Sequence, residues 1–146
     1  MHGGATDPDG AAGDNGCVDD TGQTDEHTTL FLPGRVGLMV RLPARPGGRP
    51  ALLDAVNRFA DGLRASPGTE AFVVSLDPND LDVVWLHEWF TDEAALEAHR
   101  TTDSFATLMT EMPELLAGTP ALMRIDPLRL DLSNELLAGD GLGSLG

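Results

Sequence analysis

Leu81-Asp82-Val83-Val84-Trp85-Leu86-His87-Glu88-Trp89-Phe90, followed without a gap by Thr91-Asp92-Glu93-Ala94-Ala95-Leu96-Glu97-Ala98-His99, is the stretch whose reading decides the fold. Its first part is rich in Val, Trp, Leu and Phe, side chains that fit a pleated, half-buried surface, and predicts a strand. The second part predicts a helix. Thr91 stands as N-cap, acids occupy the first turn where the helix dipole favours them, and alanines fill the interior. Both tryptophans, two of the four histidines and a carboxylate within an apolar run fall here. A strand loaded in this way is expected to line a pocket that its neighbours close around a small aromatic molecule.

Working outward, Val36, Leu38, Val40 and Leu42 alternate onto one face of a strand, with Gly37, Met39 and Arg41 on the other. Residues 43–50 form a Pro/Gly-rich loop, and Pro50 is placed to start a helix. Leu52, Val56, Phe59, Ala60 and Leu63 follow at helical spacing, and Ser66-Pro67-Gly68 stops them. Residues 70–76 predict a second strand. Asp77-Pro78-Asn79-Asp80 is made of turn-formers, so this strand and the central one make a hairpin. Downstream of His99, Asp103 or Ser104 caps a helix carrying Phe105, Leu108, Met109, Met112, Leu115 and Leu116. Pro113 is expected to break or kink it. Residues 121–130 predict a fourth strand. The order is βαββαβ with the second helix in two pieces: an α+β, ferredoxin-like domain whose antiparallel sheet has helices on one face.

A length of 146 residues suits one domain. The net charge of −15 is concentrated at the ends. Residues 1–30 carry seven acids and residues 131–146 carry three, neither with any Arg or Lys. Residues 1–30 hold too little apolar surface to offset ordering entropy and are expected to be a disordered acidic tail, with His2 and His27 in water. The domain is then 31–130, followed by a flexible tail at 131–146. An acidic surface repels phosphate backbones, so no nucleic-acid partner is expected. No apolar run approaches a membrane span and no charged-then-apolar leader opens the chain, so a soluble cytoplasmic protein without membrane contact is expected. Lysine and tyrosine are absent, which excludes Schiff-base and phenol chemistry by the chain itself. Cys17, the lone thiol, lies in the acidic leader, where a nucleophile is not preorganised.

Helices cover only one face of such a sheet. The other face carries one parity of the central strand, either Trp85, His87 and Trp89 or Leu86, Glu88 and Phe90, and both sets are large and apolar. Exposed patches of that size mark an interface or ligand site. A second copy stacked sheet to sheet would cover the patch, giving a symmetric homodimer.

Glu88-x-Phe90-x-Asp92-x-x-Ala95-Leu96-x-x-His99, with Phe105 beyond and Pro46-Gly47 after the first strand, resembles the antibiotic biosynthesis monooxygenase family of dimeric α/β barrels. The resemblance covers about residues 35–130. It implies a ferredoxin-like dimer, with molecular oxygen and a quinol or polycyclic aromatic polyketide as substrates and no metal or organic cofactor. A reduced flavin from a partner reductase remains open. Haem-degrading relatives use a His about four residues after the Phe matched by Phe105. Met109 stands there, which argues against haem degradation.

Oxygenation without a cofactor needs an electron-rich substrate, a group to take its proton, a partner for the resulting anion and exclusion of water. Glu88 and His99 are the candidates for the proton, Arg41 and Arg124 for the anion, and Leu86 and Phe90 for the cavity wall. His87 and Glu88 are adjacent, so an undistorted strand cannot aim both into one pocket. The family register implies that Glu88, Leu86 and Phe90 face the cavity, and puts His87 between sheet and helices or at the dimer edge. Plainer roles compete. Glu88 suits an ion pair with Arg41 or Arg124, His99 suits a helix C-terminus, the tryptophans suit packing, and Met39, Met109 and Met112 suit core filling. A cyclase or isomerase on the same barrel, or a non-catalytic small-molecule binding module, would use the same architecture.

Overall fold

A computed structural model describes residues 26–139. In chain order the elements are β1 (His27–Phe31), β2 (Val36–Pro43), α1 (Arg49–Asp61) with a 3-10 turn at Gly62–Ala65, β3 (Thr69–Leu76), β4 (Val83–Phe90), α2 (Glu93–Arg100), α3 (Asp103–Leu115), β5 (Ala121–Ile125), β6 (Arg129–Ser133) and α4 (Asn134–Ala138). They fall into two compact units, one spanning Phe31–Leu128 and the other built from the two ends of the chain.

The larger unit is the expected βαββαβ arrangement. Its antiparallel sheet has the order β3-β4-β2-β5, with the stretch that decides the fold at an inner position. Val36, Leu38, Val40 and Leu42 share a face with Val84, Leu86, Glu88 and Phe90, because Val40 pairs with Leu86 and Leu38 with Glu88. On this face Val40, Leu42, Val84 and Leu86 join Leu52, Val56 and Phe59 of α1 and Leu108 and Met112 of α3 in one core. The helices therefore cover this side, and Met39, Arg41, Trp85, His87 and Trp89 point to the other. A bulge lies on β3 between Thr69 and Ala71, while β4 pairs with β2 residue for residue.

Pro113 does not break its helix: α3 runs unbroken from Asp103 to Leu115. The proline sits in the last turn, where few carbonyls need an intrahelical donor. Arg45 donates to two carbonyls at this end, those of Pro113 at 3.0 Å and Leu116 at 3.3 Å. Two caps differ from expectation. Asp92, not Thr91, caps α2 by accepting from Ala95 N at 2.9 Å. Thr102, not Asp103 or Ser104, caps α3.

The ends of the chain differ more. The strand expected over residues 121–130 stops at Ile125, and Arg129 opens a separate strand. Pro127, between them, has no N–H for a ladder. In the smaller unit β6 pairs with β1, so the described parts of the expected tails are strand and helix. Thr28, Thr29, Leu30 and Phe31 are strand formers, and Leu130 and Leu132 alternate with polar residues. Asn134 N donates to Glu26 O at 2.9 Å, and Thr29 Oγ1 bonds Asp131. His27 is exposed on β1. The acidic leader before residue 26, with His2 and Cys17, and residues 140–146 lie outside the described residues.

Candidate active site

Glu88 and His99 come together on the helix-covered side of the sheet. Glu88 arrives from β4 by simple alternation. His99 arrives from the last turn of α2, whose end is fixed by Thr102. The Thr102 hydroxyl donates to the His99 carbonyl at 2.9 Å and accepts from Phe105 N at 3.2 Å, tying the close of α2 to the start of α3. His99 Nε2 lies 3.6 Å from Glu88 Oε1, and the two residues are only 3% and 5% exposed. The imidazole is boxed by aromatic rings. Phe90 is 4.8 Å away between centroids, Phe59 5.3 Å and nearly perpendicular, and Phe105 5.5 Å. Edge and tilted contacts of this kind fix a ring's orientation.

Burial dominates the electrostatics. It pushes the Glu88 carboxyl up to about 7, against the pull of the Arg100 charge towards the ionised form. Burial also holds His99 below its ordinary value, and the same Arg100 charge adds to that effect. Near neutrality the pair is thus a neutral imidazole beside a carboxyl poised between its two forms. His99 Nδ1 is buried with no hydrogen-bond partner among the described residues, an arrangement that costs stability unless something else meets it.

The pair borders a cavity of about 520 Å³, within the range of small-molecule sites. Its walls are apolar: Leu38, Val40 and Leu86 from the sheet, and Phe105, Leu108 and Met109 from α3. Glu88, His99, Arg100 and Thr119 are the polar side chains on it.

Of the residues picked out from sequence, Glu88, His99 and Leu86 meet at this cavity. Phe90 does not line it. Phe90 is fully buried and packs against the His99 ring. Arg41 lies on the opposite face of the sheet, where it pairs with Asp80 at 3.7 Å. Arg124 shares the helix-covered face but sits on the edge strand, bonded to Glu93 at 2.8 Å and Asp126 at 3.1 Å, away from the cavity. The simple ion pair of Glu88 with either arginine is therefore not formed. His87 was expected between sheet and helices or at the dimer edge, and the first of these places is not where it lies. It lies on the far face at 5.4 Å from Trp89. Met109, expected as core filling, lines the cavity instead. Arg100 was the residue that sequence reasoning missed. It follows His99 directly, but a cation in the last turn of a helix reads first as a complement to the dipole. Among the described residues no cluster of three or more His, Cys, Asp or Glu is placed to hold a metal, and no helix is long and apolar enough to cross a membrane.

A one-sided α/β sandwich with an acid–imidazole pair on an apolar cavity places the domain in the ferredoxin-like class. The model of the antibiotic biosynthesis monooxygenase family matches residues 35–111, more than half of the chain, and the chain belongs to that family. Solved structures agree on the fold. A protein of Nitrosomonas europaea of unknown function is 29% identical, with a TM-score of 0.57 over 64% of this chain and 88% of its own. One from Pseudomonas aeruginosa is 24% identical, with a TM-score of 0.61 over 66% and 97%. A third, from Caulobacter crescentus, is itself only provisionally assigned as an antibiotic biosynthesis monooxygenase. It is 21% identical, with a TM-score of 0.62 over 66% and 92%. No curated protein matches the sequence.

Proposed function

We propose that this protein is a cofactor-independent monooxygenase that oxidises an aromatic polyketide or quinol-type substrate in secondary metabolism. The observation that carries the reading is the Glu88–His99 pair, 3.6 Å apart and buried on an apolar cavity of about 520 Å³. An anthrone-like substrate illustrates the chemistry. Glu88 or His99 takes a proton from the ring system, and the carbanion passes an electron to oxygen. The two radicals join as a hydroperoxide. Loss of water then leaves a carbonyl, so one oxygen atom enters the product and the other leaves as water. The substrate supplies all four electrons that reduce the oxygen, and the proton taken first returns to the peroxide. The protein's part is to remove the proton, hold the anion and keep water out.

Oxygen consumption by purified protein with an anthrone or a hydroquinone tests this. Turnover well above the uncatalysed rate is expected, falling about 10²- to 10⁴-fold in Glu88→Gln or His99→Ala, the range for loss of a general base. No uptake above background across a substrate panel would overturn the proposal. Uptake only with added reduced flavin would move the electron source to a partner reductase.

A cyclase or isomerase is the second reading, because a carboxyl near 7 beside a neutral imidazole moves protons whether or not oxygen is present. Identical product formation under anaerobic conditions would favour it. The first reading includes a homodimer. The far face presents Val73 and Met123, about half exposed, beside Trp85 and Trp89, and a second copy stacked there would dry it.

A further inference from the structure

We infer that the rim of this cavity is an anion subsite built on Arg100, and that its ligand is a flat aromatic acid whose charged oxygen meets that guanidinium. The acid is defined by its chemistry: a carboxylate, or a phenol or enol in its ionised form. This rests on the reading of the cavity as a small-molecule site and narrows what the site takes.

Three observations converge. Arg100 lines the cavity yet is exposed, so it stands where the cavity opens to solvent. The other arginines of this unit are mostly occupied. Arg35 is paired with Glu70, Arg41 with Asp80, Arg58 with Glu111 and Arg124 with Glu93, while Arg45 and Arg49 donate to backbone carbonyls. Arg100 makes no side-chain hydrogen bond or ion pair among the described residues, although its charge is felt at both Glu88 and His99. Finally, Glu88 is the sole acid on the cavity wall, and near neutrality its carboxyl is only partly ionised, so less than one full negative charge on the wall offsets Arg100. An apolar chamber with one unspent cation at its entrance favours a ligand with an apolar body and one anionic end. A guanidinium also presents a planar fork that matches two oxygens of a carboxylate.

The test is calorimetric binding of two matched probes, 2-naphthoate and its neutral counterpart 2-naphthalenemethanol, to the full-length protein. The naphthoate is expected to bind at least about tenfold tighter, the scale of one charge-assisted contact. Arg100→Gln should erase that preference while leaving affinity for the alcohol unchanged. Arg64→Gln, an exposed arginine of the 3-10 turn that does not line the cavity, should preserve it. Equal affinities in the wild type, or a preference that survives Arg100→Gln, would overturn the anchor alone. Failure of both probes to bind would overturn the anchor together with the cavity reading beneath it. Neither result depends on oxygen turnover.

Discussion

A carboxyl walled in by aromatic and aliphatic groups makes its residue a stability term that changes with pH. Glu88 has an unfolded value of 4.5 and is pushed up to about 7 in the fold. Between these limits the folded chain holds a proton that the unfolded chain has released, so stability falls as pH rises through this window and levels off above it. The gap corresponds to about 3 kcal/mol at most. His99 works in the opposite direction. Its value is lowered by burial, so its contribution is lost as pH falls below the ordinary imidazole range. Comparing Glu88→Gln with wild type isolates the carboxyl. The variant is expected to gain stability relative to wild type as pH rises from 4.5 to 7, by an amount approaching that figure, in chemical denaturation. A constant difference across the window would show that Glu88 titrates normally. Sequence alone names Glu88 and His99 as candidates for the proton, but their contact at 3.6 Å is visible only in the structure. Sequence could not assign the anion's partner. Arg41 and Arg124 are the sequence candidates for that role, but parity puts one on the wrong face and edge position leaves the other with Glu93.

At the scale of elements, the placement of α2 decides where His99 sits, and a glycine sets that placement. A Cβ built on Gly68 would come within 2.4 Å of Ala95 Cβ and 3.4 Å of its Cα. Thr91 N also donates to Gly68 O at 3.0 Å, so the turn entering β3 clamps the start of α2. Neither contact atom is the end of a flexible side chain. Gly68→Ala should therefore displace α2 and destabilise the fold by about 1–3 kcal/mol, the usual cost of overpacking. Adding Ala95→Gly, itself worth roughly 1 kcal/mol against a helix, should make the double variant less damaged than the sum of the two singles. Simple additivity in urea melts would refute a direct clash. Periodicity made the core elements legible: strict alternation in β2 and the 3-to-4 spacing in α1 and α3 each report a single buried face. It failed for β1 and β6. These strands are short, polar on alternate positions, and complete only through a partner about a hundred residues away, as the Thr28–Asn134 bond shows. No local pattern encodes such a partner.

For the whole molecule, a second copy over the sheet's far face is favoured by apolar area and opposed by charge. The sheet's far face carries Met39, Trp85, His87 and Trp89 at its centre, and Val73 and Met123 stand about half exposed on the strands to either side. A specific pairing of ordinary size buries about 1,600 Å² in all, and a four-stranded sheet can supply half of that. Against it stands repulsion, since each chain carries −15, and salt screens such charge within about 10 Å at 0.1 M. Association by this face should thus strengthen as ionic strength rises, the reverse of a contact built on ion pairs. Light scattering coupled to size exclusion should return twice the chain mass of 15.4 kDa for the wild type. Val73→Glu combined with Met123→Glu should return a single chain, because two new carboxylates per copy would be buried unpaired. Both substitutions point away from the Glu88–His99 cavity, so a variant that stays folded keeps naphthoate binding if each copy builds its own site. A wild type that runs as one chain at every salt concentration would overturn the pairing and leave the far face to another occupant.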